Sequence, residues 1–289
     1  VQTSRAAAEA YEALFVRPTT DDALEELRRA HRGRISRYRV KTIKAGPVLE
    51  CEAYPIWDTA ADRREARAAR DSLKGTQAQR IVNERNARKH LARLLNANFG
   101  PDDLMITLTY KGRPPDLDTA QKDMRNYLRR IARYRKRQGL PELKYAYVIE
   151  HVDEDGRKKR VHHHLVMNGM DREAAEQLWG KGRANAARLQ IDERGLAPLA
   201  AYMLKGAQRR KRWAHSRNLK APTVTVATRK LPPSRIEQIA RDLNEAARAV
   251  LEKAYRGYEY IEHEARASWY APGAYIYAIL HKKGGGKRE

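Results

Sequence analysis

Residues 144–152, KYAYVIEHV, and 160–168, RVHHHLVMN, are two runs of β-branched and aromatic residues separated by Asp153-Glu154-Asp155-Gly156. A run of turn formers between two such segments predicts an antiparallel hairpin. Side chains alternate along a strand, so His162 and His164 share one face, about 7 Å apart, while His163 points to the other with Val161 and Leu165. On the preceding strand Glu150 shares a face with Val148 and Ala146, and His151 points the opposite way. Two imidazoles and a carboxylate on one face make a mixed N/O donor set suited to Mg2+ or Mn2+, with zinc open on ligand type alone. The hairpin register decides whether Glu150 or His151 completes the set.

Working outward, LMITLTY at 104–110 reads as a further strand, with Thr107 and Thr109 alternating with Ile106 and Leu108. A helix at 119–137 follows, opened by Asp118 with Gln121 three positions on. Met124, Tyr127, Leu128 and Ile131 line its apolar side, and a row including Arg125, Arg129, Arg133 and Arg135 covers the rest. Downstream, the pattern predicts helices at 171–179 and near 195–205, with strands at 186–191 and 223–228. Pro232-Pro233 then precede a helix over 234–255, opened by Ser234 and Glu237. Upstream, 35–57 reads as a hairpin turning at Gly46-Pro47, and 77–96 as a helix.

The fold class is therefore α+β: a central antiparallel sheet of about five strands with the His strand in its middle, and flanking helices. The expected organisation is a helical arm over 1–34, a main domain over 35–230, a C-terminal helix and strand extension over 231–281, and a disordered basic tail over 282–289.

Composition restricts the partner. In 289 residues, 59 Lys and Arg face 36 Asp and Glu, a formal charge of +23. Such an excess attracts polyanions and suits no enzyme of small neutral substrates. The basic clusters at Arg125, Arg129 and Arg133, at Arg157, Lys158, Lys159 and Arg160, and at Arg209, Arg210, Lys211 and Arg212 read as surfaces that contact DNA phosphates. Trp213, Tyr110 and Trp179 are candidate stacking platforms. A single cysteine, Cys51, excludes an internal disulfide framework and multi-cysteine zinc sites, and fits a reducing cytoplasm. No apolar run reaches membrane-spanning length, and the first residues show no secretory signal, so no membrane partner is expected.

The ordered set LTY in LMITLTY, HHH in RVHHHLVMNG and YMLK in LAAYMLKG resembles the three motifs of the HUH endonucleases that start rolling-circle replication. Within them it is most similar to initiators of plasmids and single-stranded DNA phages, including the filamentous-phage gene II type. WGKGRANAARLQ and KRWAHSRNLKAP add to the likeness, which covers roughly residues 40–230. The resemblance implies that His162 and His164 are metal ligands, with Glu150 third, and that Tyr202 is the nucleophile with Lys205 beside it. The middle position, usually hydrophobic in the family, is here His163.

It further implies a Mg2+- or Mn2+-dependent single-strand nickase and strand transferase that initiates replication at an origin through a 5′-phosphotyrosine. A relaxase and a single-tyrosine transposase are the nearest alternatives in mechanism, and a non-catalytic basic DNA-binding protein is the alternative of another class. Expected partners are single-stranded or hairpin origin DNA, a host helicase and a polymerase. The sequence contains no G-x-x-x-x-G-K-S/T motif of a helicase motor.

Overall fold

The computed structural model describes residues 15–16, 35–57, 60–61, 64, 67–68, 77–152, 158–205, 213–241, 245–268 and 273–284. In chain order its elements are β1 (Phe15–Val16), β2 (Ile35–Ala45), β3 (Val48–Trp57), α1 (Gln77–Asn96), β4 (Leu104–Thr109), α2 (Leu117–Arg137), β5 (Tyr145–Val152), β6 (Lys158–Met167), α3 (Arg172–Gln177), β7 (Ala184–Arg188), α4 (Ala197–Met203), β8 (Ala214–His215), β9 (Thr223–Ala227), α5 (Pro233–Arg241), α6 (Glu245–Ala254), β10 (Tyr258–Ser268) and β11 (Ala274–Lys282). The fold is α+β, as expected. It has two antiparallel sheets rather than one, in two compact units: residues 1–86 with 222–289, and residues 87–221. Among the described residues no helix is long and apolar enough to cross a membrane.

The second unit holds the His strand. Its five-stranded sheet has the order β7-β4-β6-β5-β8, so β6 is central. Register follows from which residues oppose: Thr107 faces His164 and Thr109 faces His162 on one side, while Val148 faces His164 and Glu150 faces His162 on the other. Directly opposed residues of an antiparallel pair lie on the same face, so each sheet face has a definite membership.

One face, with Leu104, Ile106, Leu108, His163 and Leu165, packs under α2 through Met124, Tyr127, Leu128 and Ile131, with Trp179 fully buried among them. The other packs Val148 and Val166 against Leu91 and Leu95 of α1 and Ala200 and Met203 of α4. Covering both faces makes this sheet a three-layer structure, and each large apolar side chain buried stabilises it by about 2 kcal/mol.

Helix α2 starts earlier than its sequence pattern suggested. Asp116, not Asp118, is the N-cap, its Oδ1 accepting from the Thr119 backbone N–H at 2.8 Å. Asp118 instead lies in the first turn, where its charge complements the helix dipole. Arg135, grouped with the outward basic residues by sequence, is 2% exposed. Its Nε donates to the Pro141 carbonyl at 2.9 Å, and Nη1 donates to those of Asn168 and Gly169 at 3.1 and 2.9 Å. It pins the helix end to the loops following α2 and β6.

The first unit is a six-stranded sheet, β1-β10-β11-β3-β2-β9, with α5 and α6 on one face. The 35–57 hairpin forms as β2 and β3 with Gly46 at φ 57°, a left-handed conformation that suits glycine. It pairs with β11, more than 200 residues away in sequence, and not with the His hairpin. The expected single helix over 234–255 is α5 and α6, with 242–244 outside the described residues. Cys51 is a free, buried thiol whose pKa burial pushes up to about 11. Nearly all of the arm at 1–34, and the tail from 285 onward, lie outside the described residues.

Candidate metal centre and the tyrosine beside it

The register brings Glu150, His162 and His164 together. Their ligand atoms all lie within 4.8 Å of one another, making them a group able to hold a metal ion. Glu150 Oε2 is 2.8 Å from His162 Nε2 and 3.3 Å from His164 Nε2. The two imidazoles stand perpendicular, with ring centroids 4.8 Å apart.

The neighbours of the two rings make this geometry informative. His162 Nδ1 lies 2.9 Å from the Arg160 carbonyl, which only accepts, so Nδ1 carries a proton and Nε2 is the nitrogen turned to the cluster. Nε2 faces a carboxylate oxygen at 2.8 Å. A ring nitrogen and a carboxylate oxygen sit that close only with a proton or a cation between them. His164 lies deeper in the sheet, its Nε2 3.3 Å from the same Glu150 oxygen and its Nδ1 3.4 Å from Thr107 Oγ1, a hydroxyl that can donate or accept. Metal-bound imidazoles are oriented in this way through their second nitrogen. The donor set therefore fits a divalent cation.

Protonation states agree. Burial, reinforced by the neighbouring His162, lowers the His164 pKa to about 4, so this ring is neutral at pH 7. For Glu150, burial pushes upward but is outweighed by the hydrogen bond from Lys159 and by His162 and His164, leaving the carboxyl below its ordinary value. Lys159 Nζ is 2.8 Å from Glu150 Oε1. Its ammonium occupies one carboxylate oxygen while the other faces both histidines, so Lys159 belongs to the immediate surroundings of the cluster.

Tyr202 stands beside the metal candidates. Its ring lies edge-on to His164 with centroids 4.9 Å apart, and the residue is 53% exposed although it sits on a helix whose Ala200 and Met203 are buried. The start of α4 is fixed by Asn96, whose side-chain oxygen accepts from the Leu196 backbone N–H at 2.7 Å. Lys205, exposed, follows three residues later at the helix end.

The middle histidine has a different setting. His163 is fully buried on the opposite face, with Nε2 3.0 Å from the Tyr110 hydroxyl and the Trp179 ring 5.5 Å away. Burial lowers its pKa to about 4. Tyr110 in turn hydrogen-bonds Asp123, a buried carboxylate on the inner side of α2, paired with Lys181 at 3.2 Å. Sequence reading missed this His163–Tyr110–Asp123 chain. Its one signal was an aspartate at a helix position flanked by the apolar Met124 and Tyr127. Tyr110 and Trp179 are core residues, which removes them as stacking platforms, and Trp213 is half-buried against His90.

The basic residues separate. Arg125, Arg129 and Arg133 form an exposed row on α2, across the sheet from the cluster. Arg160 binds the carbonyls of Tyr110 and Gly112, holding the end of β4. Arg157, the Lys158 side chain, and Arg209, Arg210, Lys211 and Arg212 lie outside the described residues.

Residues 103–207 match the family described as replication-associated protein ORF2/gene II protein. This match supports a rolling-circle replication-initiator family. The matched segment falls within the second unit and contains Glu150, His162, His164, Tyr202 and Lys205. No curated protein and no solved structure is matched by the chain.

Proposed function

We propose that this replication-initiator chain is a metal-dependent single-stranded DNA nickase and strand transferase that opens an origin through a 5′-phosphotyrosine on Tyr202. The observation that carries the reading is the half-exposed Tyr202 ring against His164, itself part of the Glu150, His162 and His164 group. A Mg2+ or Mn2+ ion in that group supplies Lewis-acid polarisation of a phosphodiester and neutralises charge developing on its oxygens.

The chain's own residues do the rest. His162, oriented by the Arg160 carbonyl, and His164, beside Thr107, present ring nitrogens, and Glu150 contributes the anionic oxygen. Tyr202, held at the surface by α4, aims its phenolic oxygen at phosphorus. A bond forms between Tyr202 Oη and phosphorus as the bond from phosphorus to the 3′ oxygen breaks; the phenol gives up one proton and the departing 3′ oxygen takes one up. The phosphotyrosine keeps the energy of the cleaved link, so a later 3′-hydroxyl reverses the step and closes a strand. Lys205 stabilises the phenolate or holds a phosphate.

The exposed basic residues Arg125, Arg129, Arg133 and Lys159, with Arg157, Lys158, Arg160 and the 209–212 run, provide phosphate attraction for DNA. Strand separation then falls to supercoiling or a host helicase, with a polymerase extending the freed 3′ end.

The test uses a library of single-stranded hairpin DNAs with Mn2+, from which covalent protein–DNA adducts are collected under denaturing conditions. Wild type is expected to form an adduct and Tyr202→Phe none. Equal adduct in the variant reassigns the nucleophile; no adduct from wild type favours a non-catalytic DNA-binding protein.

A further inference from the structure

The WGKGR stretch, residues 179–183, has no part in the metal group or the nucleophile, yet the fold places it at the edge of the site. An open cleft of about 490 Å3 is lined by Thr109, Tyr110 and Lys111 at the end of β4 and by the loop Gly180–Arg183. Its two walls are bound together through the backbone: Thr109 N–H donates to the Arg183 carbonyl and Lys111 N–H to the Lys181 carbonyl, each at 2.9 Å. Trp179 Nε1 donates to the Thr109 carbonyl at 2.8 Å.

Gly182 is required for this approach. A Cβ there would fall 2.5 Å from the Lys111 nitrogen and closer still to the Thr109 carbonyl oxygen. Thr109 is the cross-strand neighbour of His162, on the same face, so the cleft opens one residue from a metal-ligand candidate.

Its charge is selective. Lys181 is paired with the buried Asp123, which cancels its contribution. Lys111 and Arg183, both exposed, set the net positive charge of the cleft.

We infer that this cleft binds the single-stranded DNA backbone next to the cleaved linkage, with Lys111 and Arg183 each contacting a phosphate. The inference rests on the nickase reading and adds to it a track leading away from the cluster at its β4 side. A rigid, backbone-tied cleft beside the reacting phosphate fixes the strand's register, which the exposed row on α2 across the sheet does not.

The experiment measures binding of a fluorescein-labelled twelve-nucleotide oligo(dT) by anisotropy across a range of salt concentrations. For single strands, log K falls with log salt by about 0.7 per phosphate neutralised. Lys111→Gln/Arg183→Gln is expected to make that slope shallower by about 1.4, two contacts' worth. Lys136→Gln/Arg137→Gln, which removes the same charge from the exposed end of α2, is expected to leave it unchanged. The charge-keeping Lys111→Arg/Arg183→Lys variant is expected to restore the wild-type slope, which a merely structural defect would not. An unchanged slope in the cleft variant, or an equal change in both double variants, overturns the inference. The nickase reading stands or falls separately: loss of the slope difference with adduct formation intact removes only the cleft, and the reverse removes only the nickase.

Discussion

Two faces of one strand show what burial does to the same side chain. His162 and His164 face Glu150, with a carbonyl and a hydroxyl behind their Nδ1 atoms and a tyrosine alongside. His163, between them, faces Tyr110 and Trp179 under α2 and ends in the buried Asp123. The first environment brings two ring nitrogens together on one carboxylate oxygen. The second buries its imidazole in packing and joins its Nε2 to a hydrogen-bond chain, while its Nδ1 is buried without a hydrogen-bond partner among the described residues. Under the proposed function, chemistry and stability are thus divided between alternate residues of a single tripeptide.

The sharpest way to break that division is to truncate each histidine. His162→Ala or His164→Ala is expected to lower the rate of covalent adduct formation by on the order of 10³-fold, comparable to removing a main charge-stabilising group. His163→Leu is expected to keep that rate within about threefold, because it changes the opposite face. Comparable losses from all three would end the distinction.

Arg135 tests the packed face from another side. Arg135→Met leaves three loop carbonyls without their buried donor and is expected to cost about 3 kcal/mol or more in denaturant unfolding, with Mn2+ affinity retained in the protein that remains folded. A loss of affinity without loss of stability would join the two faces.

Acid pH bears on both. His163 and His164 are held near pKa 4 by burial, against about 6.5 in an unfolded chain. The unfolded state therefore takes up protons first, and metal-free stability is expected to fall as pH drops from about 6.5 to 4, by on the order of 3 kcal/mol for each ring. His163→Leu is expected to remove about half of that fall in pH-dependent unfolding. The smallest effect belongs to Thr107→Val, which takes the hydroxyl from behind His164 Nδ1 and is expected to weaken Mn2+ binding about tenfold.

Much of the site was legible in the sequence, since alternation along KYAYVIEHV and RVHHHLVMN already separates His163 from its neighbours. Choosing Glu150 over His151 required the pairing of Glu150 with His162. Register depends on where β5 and β6 actually oppose, and turn composition alone does not set that.

The central five-stranded sheet was legible for the same local reason, whereas in the first unit the elements were legible and the pairing of the hairpin with the C-terminal strand was not. Ile276 opposes Ala53 and Leu280 opposes Leu49 through packing across most of the chain, which no local pattern encodes. Arg135 was misleading because an arginine on a basic helix looks solvated. Only the carbonyls of 141, 168 and 169, brought close by the fold, make its burial favourable.

The most direct measurement is a Mn2+ titration followed by electron paramagnetic resonance on the wild-type chain, His164→Ala and His163→Leu. One bound ion in wild type and His163→Leu, with none at the same concentrations in His164→Ala, is the result predicted by a metal centre of Glu150, His162 and His164. Loss of the ion in His163→Leu, or its retention in His164→Ala, would contradict it.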